Sequence, residues 1–145
     1  MNQAPKIKSL WGDLPTESSV RTPYVILKEQ ASILTEATNG LLFGHVSRKS
    51  IQEENYSNYD FHCWLDIEVP SINNYSISIV EIKYPIDIYP LEIYSPVVGG
   101  KPDKCHSEEK ASKVLEQILS SAQVKRIILG LLSEVRLDQS EKSQF

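Results

Sequence analysis

The chain has no long apolar run, little cysteine and no excess of positive charge, and each shortage closes off a class of protein. Its longest uninterrupted apolar or glycine stretch, Ile127 to Leu132, falls far short of the ~20 residues that a membrane-crossing helix needs. Two cysteines in 145 residues make no disulfide framework. None is needed, because a domain of this length buries roughly 70% of the surface its unfolded chain exposes. The 15 Lys and Arg against 19 Asp and Glu, a net charge of −4, leave no basic footprint for a nucleic-acid backbone or an anionic membrane. No nucleic-acid or membrane partner is therefore expected. The lysines of Met-Asn-Gln-Ala-Pro-Lys-Ile-Lys are not followed by an apolar segment, so no secretory signal is expected and a cytoplasmic location is. There the cysteines should be thiols, Cys63 as a small core hydrophobe and Cys105 in a loop.

What is present is ordinary in amount and informative in order: 41% apolar and 23% charged residues suit a globular chain. From Tyr59 to Val69 apolar side chains hold the odd positions (Tyr59, Phe61, Cys63, Leu65, Ile67, Val69) and polar ones the even, apart from Trp64. Strict alternation over such a length is the mark of a strand with one buried face. After the turn Pro70 to Asn74, Tyr75, Ile77 and Ile79 are apolar at odd positions, but Val80, Ile82, Tyr84, Ile86 and Ile88 at even ones. This change of phase predicts a β-bulge near Ile79-Val80, since otherwise the oily side chains would turn to the wrong face. The expected pairs are Val69 with Tyr75, Ile67 with Ile77 and Leu65 with Ile79, then Cys63 with Ile82 and Phe61 with Tyr84. The opposite face collects Asp60, His62, Trp64, Asp66, Glu68, Ser76, Ser78, Glu81 and Lys83.

Residues 1–21 show no sustained period and read as an extended arm. Thr22-Pro23 opens a helix that Asn39-Gly40 closes. Leu41 to Ser47 follows as a strand, Arg48 to Asn58 as a loop, and Leu91 to Tyr94 as a short fourth strand. Pro85 and Pro90 confine the chain after Tyr84 to an edge or a break. Val97 to His106, with Gly99-Gly100, is a long connection. Ser107 caps a helix carrying Ala111, Val114, Leu115, Ile118 and Leu119; Ser120-Ser121 breaks it; and a last helix carries Val124, Ile127, Ile128, Leu131, Leu132 and Val135. The tail from Asp138 is polar. The chain thus divides into an arm (1–21), one domain (22–137) and a flexible tail (138–145). The fold class is α+β: an antiparallel meander of three to four strands with one N-terminal and two C-terminal helices on its apolar face.

Motifs for chemistry are weak. Two Cys and two His match a tetrahedral zinc site in number, but His62 and Cys63 point to opposite strand faces and no Cys-x-x-Cys spacing exists. No metal or cofactor is expected. Cys105 beside His106 lacks the spatial pairing that activates a thiol. Gly99-Gly100-Lys101 lacks the earlier glycine and the following Ser or Thr of a phosphate loop. Asp60, Asp66, Glu68 and His62 could pair an acid with a base, but a wet sheet face does not tune their pKa values. Trp64 is the outlier, a large aromatic on a polar face. Either the arm covers it with Leu10 and Trp11, the first expectation, or it marks a binding surface. The reading is a small acidic protein that binds a protein partner, as adaptors, immunity proteins, antitoxins or chaperones do, through Trp64, His62, Asp60, Asp66, Glu81 and Lys83. No catalytic residue is assigned, and the last helix offers a possible homodimer contact. The alternative is a small enzyme or ligand-binding domain with its site near the 95–106 loop, using Lys101, Cys105 and His106.

Overall fold

A computed structural model describes residues 7–51 and 58–143, the last seven of these (137–143) by their backbone alone. It shows an α+β fold with the order α1 (Pro23–Ala37), β1 (Phe43–Ser50), β2 (Phe61–Val69), β3 (Tyr75–Tyr84), β4 (Leu91–Tyr94), β5 (Asp103–Cys105), α2 (Glu108–Leu119) and α3 (Ala122–Ser143). The strands form one five-stranded sheet in sequence order, every neighbour antiparallel.

Helix α1 starts and stops on local chemistry. Thr22 is extended and its Oγ1 accepts the Val25 N–H at 3.3 Å, with Pro23 at the first turn. At the other end Asn39 and Gly40 have φ of 51° and 78°, and their N–H groups donate to the carbonyls of Glu36 and Thr35 at 3.1 and 2.8 Å, a Schellman closure. Two threonines then clamp the helix to the strand that follows. Thr35 Oγ1 accepts the Gly44 N–H at 2.9 Å and Thr38 Oγ1 accepts the Leu42 N–H at 3.2 Å. The approach is close because Gly44 has no side chain: a Cβ there would lie 2.6 Å from Ala31 Cα.

The β2–β3 hairpin carries the bulge. Leu65 faces Val80 and Asp66 faces Ser78, so Ile79 is the extra residue and the expected Leu65–Ile79 pair moves by one; the other four expected pairs stand. Both Ile79 and Val80 are buried. The buried Ser95 hydroxyl donates to the Ile79 carbonyl at 2.7 Å, so the carbonyl freed at the bulge keeps a partner. Around this point the core parts in two. Val80 joins Cys63, Leu65 and Ile82 under α1 and α2, whereas Ile79 joins Ile67 and Val69 under α3.

Three boundaries differ from expectation. β1 runs from Phe43 through Ser50, into the segment read as a loop, because Arg48, Lys49 and Ser50 pair with Cys63, His62 and Phe61; ladder pairing overrides their weak strand propensity. Residues 52–57 of that loop lie outside the described residues, as do 1–6 of the arm. A fifth strand, β5, stands inside the expected 97–106 connection, too short and polar to show a period, and pairs Cys105 with Leu91. The backbone of α3 continues to Ser143, so the polar segment after Asp138 is helical where composition suggested a tail. The capping by Ser107 and the break at Ser120-Ser121 are as read, and Glu108 and Glu109 lie in the first turn of α2. No helix among the described residues is long and apolar enough to cross a membrane.

Candidate functional site: the polar face of the sheet

The three helices bury their stripes against one face of the sheet, and no helix among the described residues packs on the other. Cross-strand pairing arranges these in rows. One row is Ser47, Trp64, Glu81 and Tyr94; the next is Lys49, His62, Lys83, Glu92 and Lys104, crossing all five strands. Thus the structure brings His62, Trp64, Asp66, Glu81 and Lys83 together as neighbours on one surface. His62 and Trp64, two residues apart on β2, place their rings 5.0 Å apart at a 46° tilt. His62 Nε2 also lies 3.8 Å from Glu81 Oε2 across the β2–β3 ladder.

Asp60 does not belong to this group. It precedes β2, and its Oδ2 accepts the Ile86 N–H at 2.7 Å while its own N–H donates to Tyr84. The carboxylate therefore ties down the chain leaving β3. The expected cover for Trp64 is also absent: in the arm Leu10 is 91% and Trp11 77% exposed, so neither side chain lies over the face. Trp64 is half-buried among its strand neighbours instead.

Tyr94, Glu92 and Lys49 complete the surface, and sequence reasoning passed over them. Once β4 and the longer β1 are paired, the alternation of Leu91-Glu92-Ile93-Tyr94 gives their side directly. Glu81, Lys83, Glu92, Tyr94 and Pro102 enclose a hollow of about 150 Å³, well below the ~300 Å³ at which small-molecule pockets begin. The face is thus nearly flat. Its carboxylates alternate with lysines, Lys83 with Glu92 and Glu92 with Lys104, so the charge is mixed.

The chemistry considered for the 95–106 region meets a different environment. Cys105 is buried in β5 rather than lying in a loop. Burial raises its thiol pKa, the Asp103 carboxylate adding to the effect. Burial likewise pushes the Cys63 thiol up to about 12. Both stay protonated at neutral pH and are poor nucleophiles. His106 and Lys101 are exposed. Gly99 and Gly100 adopt φ of 77° and 86° in a turn. Among the described residues no three His, Cys, Asp or Glu side chains gather as a metal site would require. Compared with family models, curated proteins and solved structures, the chain matches none.

Proposed function

We propose that this is a cytoplasmic protein that works by binding another protein through the polar sheet face around Trp64, in the manner of an adaptor, immunity protein, antitoxin or chaperone, without a chemical step of its own. The observation that carries the reading is Trp64 itself: half-buried, packed on His62, set between Ser47 and Glu81, with no helix among the described residues over it. An aromatic anchor held in a well-packed surround with a charged rim is the composition of an interaction hot spot. The flatness of the face suits a macromolecule better than a metabolite. The buried, protonated Cys105 weighs against the enzyme alternative, and the alternating charges suit a partner of mixed charge.

The test is affinity capture from the protein's own cells with wild-type and Trp64→Ala chains, followed by a binding titration on whatever protein is retained. Trp64→Ala should weaken that complex by about 2 kcal/mol or more, roughly thirtyfold, and leave the melting temperature nearly unchanged. Cys105→Ser should bind as wild type. Equal retention by Trp64→Ala, or loss of biological activity in a folded Cys105→Ser chain, would refute the reading.

A further inference from the structure

On the opposite side of the sheet, at the end where β1, β2 and β3 meet the arm, lies a cleft of about 400 Å³ lined by Val20, Arg48, Phe61, Tyr84, Ile86 and Ile88, with Ser18 and Thr22 at its rim. Its volume falls within the ~300–1,000 Å³ of ligand pockets. Its walls are apolar and partly open to solvent: Val20 is 60% and Ile86 75% exposed. Ile88 lines it in a left-handed conformation, φ 78°, which is strained for a β-branched residue and is the kind of outlier that gathers at ligand sites.

Among the described residues that line this apolar space, Arg48 is the cation. The Arg48 guanidinium stacks 4.2 Å from the centroid of the Tyr24 ring, and its charge acts on the Tyr84 hydroxyl against the larger effect of burial. It is therefore held in place before any ligand arrives. Lys28 Nζ approaches the same Tyr24 ring at 5.0 Å. Among the described residues no ion pair joins a carboxylate to Arg48 or Lys28, whereas Arg21 nearby holds both Glu29 and Glu108 at 3.1 Å. A planar guanidinium that is positioned and bordered by apolar walls is a receptor for a carboxylate attached to an apolar body.

We propose that this cleft binds a small aliphatic monocarboxylate, its carboxylate on Arg48 and its chain between Phe61, Ile86 and Ile88. A single guanidinium in a protein of net charge −4 matches one negative charge better than two. This site is independent of the Trp64 face, whose partner contacts it does not share.

The probe is sodium octanoate, titrated into the full-length protein and followed by amide NMR shifts, with octanol as the uncharged comparison. Octanoate should give saturable shifts at Val20, Arg48, Ile86 and Ile88. Octanol should bind at least about tenfold more weakly, the scale of one charge-assisted contact. Arg48→Gln should lose the same factor. So should Ile86→Glu, a change at an exposed side chain that sets a competing carboxylate at the mouth without touching the core. Lys49→Gln, on the other face, should bind as wild type. Three results would overturn the proposal: no saturable shift at millimolar octanoate, shifts confined to other surfaces, or equal octanoate affinity in folded Arg48→Gln.

Discussion

The two faces of the sheet are built from the same strands and spend their side chains in opposite ways. On one, Cys63, Leu65, Ile67, Val80 and Ile82 are buried under helices; on the other, His62, Trp64, Asp66, Glu81 and Lys83 lie beside one another and stay partly in water. Adjacent residues therefore live in different solvents, and a substitution's cost should depend on parity more than on residue type. The bulge sharpens this point. By absorbing Ile79 it lets β3 keep oily side chains on the covered face both before and after the change of phase. The exposed face inherits its polar set as a consequence.

The strongest way to break the comparison is to put charge on the covered face. Ile67→Asp would set a carboxylate at a position 2% exposed, among the apolar side chains of Val69, Ile79 and Val135. A loss of about 5 kcal/mol or more is expected, enough to unfold a domain at the lower end of the usual ~5–15 kcal/mol. Circular dichroism of the purified chain would show it, and a cooperative melt near the wild-type temperature would refute the face assignment.

Next in size is Gly44→Ala, at the seam between α1 and β1. The new Cβ would meet Ala31 Cα and carbonyl oxygen at 2.6 Å, and backbone atoms cannot turn aside. We expect a loss of about 3 kcal/mol in urea denaturation. Adding Ala31→Gly should recover only part of it, since the clash with Ala31 Cα and O remains; full recovery in the double variant would mean that side chains alone set the spacing.

That seam also marks where the sequence was legible and where it was not. The hairpin from Phe61 to Tyr84 could be read nearly residue by residue because both strands bury one face, which fixes parity and register together. Thr22-Pro23, Asn39-Gly40 and Ser107 were legible because caps are local chemistry. The reach of β1 to Ser50 and the existence of β5 were hidden, since Arg48-Lys49-Ser50 and Asp103-Lys104-Cys105 are strands only through their partners. The candidate surface followed the same division. Trp64, His62, Glu81 and Lys83 came from the hairpin's own alternation, whereas Tyr94 and Glu92 needed β4 to be paired. Asp60 was misassigned because period alone does not show where a strand begins, and its carboxylate serves Ile86.

A gentler probe is alkaline pH, which acts on groups of the covered side. The buried Cys63 thiol ionises at about 12 instead of the ordinary 9.0, so between these values the unfolded chain gives up a proton that the folded chain keeps. Stability from this group is full below pH 9 and falls as pH rises toward 12, by up to about 1.4 kcal/mol per pH unit. Burial raises Tyr84 and Cys105 as well, so they act in the same direction. Cys63→Ala should flatten the slope of unfolding free energy against pH without abolishing it. An unchanged slope would show that the thiol reaches solvent in the native state.

The smallest expected effect comes from the residue beside Ile67. Glu68 sits across from Phe43 on β1 and Ser76 on β3, on the face that no helix covers. Its removal opens no cavity and orphans no buried cation, so Glu68→Ala should lie within about 0.5 kcal/mol of wild type. Its cross-strand neighbour Phe43 is itself 43% exposed and would gain a little solvent when the carboxylate stem is cut back. Measured in the same urea series as Ile67→Asp, the two neighbours should therefore stand at opposite ends of the scale. If Glu68→Ala instead cost several kcal/mol, the polar face would have to be covered in solution, by a second copy or by the arm, and Trp64 would then be a packing residue and not a docking anchor.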